Sequence, residues 1–101
     1  MSIIVTGTID FDPAKRDEAI AAVTACMEAT RAEDGCEHYA FSGDFADPGR
    51  MYVSEQWASQ EAMDAHMGTP HLAALMGAMG SLGVTAASLT KWDGATASKL
   101  M

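Results

Sequence analysis

Basic side chains are scarce in this 101-residue chain: six Lys and Arg stand against 14 Asp and Glu, a net charge of −8. Nucleic acid and anionic membrane surfaces repel so acidic a chain, so neither is an expected partner. Long apolar runs are missing too. No segment approaches the ~20 apolar residues that span a bilayer, and MSIIVTGTID has neither a basic start nor a long apolar stretch, so a cytoplasmic protein is expected. Cys26 and Cys36 fit neither CxxC nor a spaced zinc-ligand pattern, which predicts two unpaired thiols without chemistry in a reducing compartment. The chain also lacks GxGxxG, a P-loop, a usable Ser-His-Asp ordering and a cysteine-rich cofactor site. Any chemistry must rest on ordinary side chains and on the substrate's own reactivity.

What is present reads as one domain over residues 1–101, with a core over about 3–92 and a loose tail over 93–101. Ile3 to Asp10 alternates with period two and predicts a first strand. Asp12 and Pro13 suit a helix start, and Ile20, Val23, Met27 and Thr30 recur at helical spacing, predicting a helix to about Glu33. Asp34-Gly35 ends it. From Cys36 the period returns to two, and the turn Asp47-Pro48-Gly49-Arg50 sends Met51 to Trp57 back antiparallel. Ser59 caps a short helix that Gly68 interrupts. Thr69-Pro70 starts another, with Leu72, Leu75, Met76 and Met79 as its apolar stripe, and Val84 to Trp92 predicts a fourth strand. Strand, helix, strand, strand, helix, strand is the α+β, ferredoxin-like βαββαβ order. Two helical layers cover one sheet face, which leaves Ile4, Tyr52, Ala87 and Leu89, or their alternates, to be covered by a homodimer.

The stretch DAHMGTPH carries two of the three histidines. His66 falls three and four residues beyond Met63 and Ala62, on the inward side of the short helix. His71 sits in the first turn of the next helix, where the positive end of the helix dipole favours neutral imidazole. They are either a pair facing a pocket or polar residues at a helix junction. Five residues apart across a break, and with no third ligand in sight, they do not match a helical zinc pair, so no metal is expected. His38 lies opposite Tyr39 and Phe41, toward solvent or a subunit contact. Glu55 shares a strand face with Met51, Val53 and Trp57, where an ionised carboxylate needs a partner, either a structural one or one in a pocket. Tyr39, Phe41 and Trp57 suit a core or a platform for a ligand. Gly7, in mid-strand, implies a close approach by a flat ligand or by a helix.

EDGCEHYAF, the DPG turn and SEQWASQEAMDAHMGTPHLAAL resemble the antibiotic biosynthesis monooxygenase family, especially its quinol monooxygenase branch, in which EGC-x-x-Y, EQW-x-S and AHL-x-TPH recur in this order. The resemblance spans about Ile3 to Trp92. It implies a dimeric α+β barrel, two ferredoxin-like subunits with their sheets back to back, each with an apolar pocket between sheet and helices. It further implies oxidation of a quinol, anthrone or similar polyphenol by molecular oxygen with no cofactor: no flavin, metal or haem. A small aromatic substrate and oxygen are then the partners. His66 or His71 would take a phenolic proton, and Glu55 would orient that base or a substrate hydroxyl. Gly7, Tyr39, Phe41, Trp57 and Met76 would form the substrate-binding set. A haem-degrading branch of the same fold relies on an Asn, a Trp and a His where Gly7, His66 and Met76 stand here, so haem degradation is disfavoured. Two other readings remain, an isomerase on the same scaffold and a ligand-binding or stress-response protein without turnover.

Overall fold

The computed structural model describes residues 2–101. Strand β1 (Ser2–Asp10) leads through a 3₁₀ turn (Pro13–Lys15) into α1 (Arg16–Thr30). Strands β2 (Cys36–Gly43) and β3 (Arg50–Trp57) follow, then α2 (Gln60–Met67), α3 (Pro70–Met79), a 3₁₀ turn (Gly80–Leu82) and β4 (Ala86–Ala95). The four strands form one antiparallel sheet in the order β2-β3-β1-β4, the ferredoxin-like topology.

Local chemistry sets the element starts. The Asp12 carboxylate accepts from the Ala14 amide, Ser59 Oγ from the Ala62 amide and Thr69 Oγ1 from the Leu72 amide, so a side-chain cap opens the 3₁₀ turn that leads into α1, and likewise α2 and α3. The core lies between the helices and one sheet face. Ile3, Val5 and Ile9 of β1 and Met51, Val53 and Trp57 of β3 bury alternate positions against Ala19, Val23 and Cys26 of α1 and Leu72 and Leu75 of α3. No helix among the described residues is long and apolar enough to cross a membrane.

Two expectations from the sequence need correction, and a third is decided between its alternatives. The buried stripe of α1 is Ala19, Val23, Cys26 and Thr30, while Ile20 is 48% exposed. Both sets have helical spacing, and the smaller Ala and Cys let the helix approach the sheet more closely, so the bulkier Ile20 is left at the flank. Strand β4 runs from Ala86 to Ala95, not from Val84 to Trp92, because its register on β1 pairs Ala86 with Asp10 and Ala95 with Ser2. Ala87 and Leu89, opposite Ile9 and Gly7, then lie on the helix side of the sheet. The open face instead carries their alternates, with Trp92 donating through Nε1 to Thr6 Oγ1 at 3.0 Å. Tyr52 and His38 are on that face too, His38 Nε2 lying 3.0 Å from Ser54 Oγ.

Candidate functional site

A cavity of about 360 Å³ lies between the helix side of the sheet and helices α2 and α3, with Ala87, Leu89, Thr90 and Lys91 of β4 along one edge. Val5, Ile9 and Val53 form its floor, and Leu72, Leu75, Met76 and Met79 form its roof. The walls are thus almost wholly apolar; of the four ionisable residues among them, Lys91 is at the exposed β4 edge bonded to Gln60 and Tyr39 is a buried phenol, which makes His66 and Glu55 the points of chemical interest.

The turn that follows α1 fixes His66. Gly35 at φ 80° is in the left-handed region, and a Cβ there would come within 2.6 Å of the Ala62 Cβ, so glycine lets the turn lie directly on α2. The Ala58 amide donates to the Gly35 carbonyl at 2.8 Å, tying the start of α2 to the same turn. Glu33 is thereby brought beside α2. Its Oε2 lies 2.8 Å from His66 Nδ1 and 2.7 Å from His71 Nε2, so one carboxylate oxygen joins both histidines. The Gly68-Thr69-Pro70 break sets the angle between the rings. Thr69 donates through both its amide and its hydroxyl to the His66 carbonyl while its oxygen caps α3, which holds the ring centroids 6.1 Å apart.

His66 is nearly enclosed, with its side chain 2% exposed. Its ring lies 4.8 Å from Trp57 and 5.1 Å from Tyr39, centroid to centroid. An acceptor carboxylate at Nδ1 selects the tautomer protonated there and leaves the lone pair on Nε2. Nε2 bonds to no described residue, and no fully enclosed side-chain nitrogen or oxygen among those residues is without a partner, so Nε2 is open to the cavity. The arrangement is that of a carboxylate-oriented imidazole base.

Glu55 is the second polar point. Trp57 donates through Nε1 to its Oε1 at 2.9 Å, which supplies the partner its apolar surroundings require. By the same reasoning as for Nε2, Oε2 is open to the cavity. Of the two roles considered for Glu55, the structure shows a link to Trp57, and the carboxylate that orients the histidines is Glu33.

The other candidate residues separate into wall and support. Tyr39, Phe41 and Met76 line the cavity. Trp57 is fully buried and stands behind His66 and Glu55 as a hydrogen-bond donor and packing partner. His71 is outside the lining and 23% exposed on the far side of Glu33. Gly7 is also outside the lining: a Cβ there would collide with the Ser88 carbonyl oxygen and come within 2.8 Å of Leu89 Cγ. What approaches Gly7 is therefore β4, with Leu89 lying over it as a wall of the cavity. The Tyr39 hydroxyl is 3.7 Å from Cys26 Sγ, and burial, then the Cys26 contact, push its pKa far above the usual phenol range, so it stays protonated. Both cysteines are free, and burial with the Glu33 and Glu55 charges raises the Cys36 thiol, leaving little thiolate for chemistry.

The model of the antibiotic biosynthesis monooxygenase family matches residues 2–78, which include every element that builds the Glu33, His66 and Glu55 arrangement. The chain belongs to this family. Among solved members, a Deinococcus radiodurans protein provisionally assigned as an antibiotic biosynthesis monooxygenase superposes with a TM-score of 0.89 at 28% identity, covering 98% of each chain. Rv0793 of Mycobacterium tuberculosis, provisionally assigned as a monooxygenase, superposes with a TM-score of 0.84 at 28% identity over the whole of both chains. By sequence, Rv0793 is 40% identical over 55% of this chain and 58% of its own length. The uncharacterized Synechocystis protein sll1783 is 35% identical over 68% of this chain and 47% of its own length. The aligned stretch thus spans about half the length of these curated relatives.

Sequence reasoning missed Glu33 in this family member. A signal was available, since a carboxylate just beyond a helix C-terminus faces the negative end of the dipole. Such a carboxylate needs a donor from elsewhere in the fold. His66 and His71 are those donors.

Proposed function

We propose that the protein is a cofactor-independent monooxygenase that oxidises a quinol, anthrone or similar polyphenol with molecular oxygen. The observation that carries this reading is a carboxylate-bound imidazole whose free nitrogen opens into a largely apolar cavity of aromatic-ligand size. His66 Nε2 accepts the phenolic or anthrone proton, and the Glu33 carboxylate stabilises the imidazolium that forms. Glu55 Oε2 accepts from a second substrate hydroxyl and fixes the ring's orientation. Tyr39, Phe41 and the methionines of α3 shield the electron-rich anion from water.

The anion gives one electron to triplet oxygen, and the two radicals recombine. For an anthrone, the ring methylene becomes a carbonyl, one oxygen atom ends in that carbonyl, and the other leaves as water with the two methylene hydrogens. For a simple quinol, recombination at a ring carbon places one oxygen atom on the ring, giving a hydroxyquinone, and the other leaves as water with two of the substrate's hydrogens.

The proposal includes a homodimer formed through the open sheet face, where Trp92, opposite Ile4, is 55% exposed and Tyr52 is exposed farther along the same face. Apolar rings left on a sheet face favour association, and no helix covers them. A small aromatic substrate and oxygen are the other partners, and the two free thiols suit a reducing, cytoplasmic setting.

Oxygen uptake by chelator-treated protein across a panel of hydroquinones and anthrones, corrected for autoxidation, tests the reading. Uptake that follows protein concentration supports it. Uptake equal to the protein-free rate for the whole panel, with an aromatic ligand retained on purification, would favour a binding protein instead.

A further inference from the structure

Glu33, His66 and His71 also form a donor set of another kind. One carboxylate oxygen and two imidazole nitrogens from three separate segments lie within 4.8 Å of one another. The spacing of the two histidines lacked a third ligand, and the turn after α1 supplies it. We propose that these three residues bind one divalent transition ion of zinc-like character, and that the bound ion and the proton-accepting form of His66 exclude one another.

Two nitrogens and one oxygen suit Zn²⁺ with water as the fourth ligand. Bonds of about 2.1 Å at tetrahedral angles separate ligand atoms by ~3.4 Å. The present 2.8 Å and 2.7 Å contacts must open by about 0.6–0.7 Å to reach that spacing, and the two imidazole nitrogens, within 4.8 Å of each other, must close by up to ~1.4 Å through side-chain rotation. Glu33 and His71, 14% and 23% exposed, form the outer side of the cluster and give an entering ion its path, while His66 closes the inner side. Two neutral imidazoles and one carboxylate leave the site a single positive charge, in a chain whose net charge is −8.

The exclusion follows from the tautomer. In the hydrogen-bonded cluster the His66 proton is on Nδ1 and the lone pair on Nε2 faces the cavity. A metal bound at Nδ1 needs the lone pair there, so the proton moves to Nε2 and the ring stays neutral. The cavity then meets an N–H donor where it had an acceptor. This second half rests on the proposed role of His66 as base, whereas binding itself does not.

Zn²⁺ titration by calorimetry, on chelator-stripped protein without a histidine tag, tests the site, with Co²⁺ as a visible probe. One ion per chain is expected, with four-coordinate Co²⁺ absorption. Glu33→Gln and His71→Ala should each raise Kd at least about tenfold, while His38→Ala leaves it unchanged. Long-range ¹H–¹⁵N spectra of the Zn²⁺ form should show the His66 proton on Nε2. No stoichiometric binding, or equal weakening by His38→Ala, overturns the site. Stoichiometric binding with unchanged oxygen uptake at saturating Zn²⁺ overturns the exclusion while the site stands.

Discussion

Glu33 and His66 are 33 positions apart in the chain and 2.8 Å apart in the fold, carboxylate oxygen to imidazole Nδ1. This one contact selects which ring nitrogen carries the proton and, in the proposed function, leaves the other nitrogen of a buried histidine as the base.

Removing the base and removing its orienting group should differ in size. His66→Gln is expected to lower turnover by about 10²- to 10⁴-fold, and Glu33→Gln by about 10- to 100-fold. Oxygen uptake with the best quinol, alongside near-ultraviolet circular dichroism to confirm folding, measures both. Equal rates for wild type and Glu33→Gln would remove the orienting role.

Trp57→Phe leaves the Glu55 carboxylate without its donor inside an apolar wall, at an expected cost of about 1–3 kcal/mol of stability. Combining it with Glu55→Leu should recover part of that loss, since the stranded charge is gone. Urea unfolding of the two single variants and the double variant gives the coupling. Strict additivity would mean that the pair contributes nothing as a pair.

A methyl group at Gly7 meets the backbone carbonyl of Ser88, which cannot swing aside as a side chain can. Gly7→Ala should therefore push β4 away from β1 and destabilise the protein by about 1–3 kcal/mol, read from the urea midpoint. Hydrogen exchange should quicken along β4 more than along β2.

Acid should weaken the fold through two carboxylates. Asp10 accepts two hydrogen bonds from its cross-strand partner Arg50, at 2.6 Å and 2.9 Å, and that bonding, then the Arg50 charge, holds its pKa below the usual range. Asp44 is lowered chiefly by the Tyr52 hydroxyl, which donates to it at 2.6 Å. Groups with depressed folded pKa values stabilise above their unfolded pKa and lose that contribution as pH falls through the folded value. Asp10→Asn should thus unfold at lower urea than wild type at neutral pH. The gap should close below about pH 4. A gap that stays constant with pH would count against the ion pair.

The open face offers the simplest assembly test. Light scattering at micromolar concentration should give twice the chain mass for wild type and the single chain mass for Trp92→Glu, with α1 to α3 still folded by circular dichroism. A wild-type monomer at that concentration would remove the dimer.

The sequence by itself determined what depends on neighbours a few residues away. Asp12, Ser59 and Thr69 announce helix starts because each caps an amide two or three residues on, and the DPG turn announces the β2–β3 hairpin for the same kind of reason. Strand and helix periods likewise put Glu55 with Met51, Val53 and Trp57, and His66 on the inner side of α2. Periodicity could not choose between Ile20 and Ala19 for the buried stripe of α1, since both fit one helix face and the choice lies in how closely the helix meets the sheet. Nor could it place Leu89 over Gly7, which depends on the register of β4 against a strand some 80 positions earlier. Only the tertiary structure brought Glu33 to His66 and His71. A short turn carries no periodic signal for its side chains, and the partner of a charge is decided by which segments pack together.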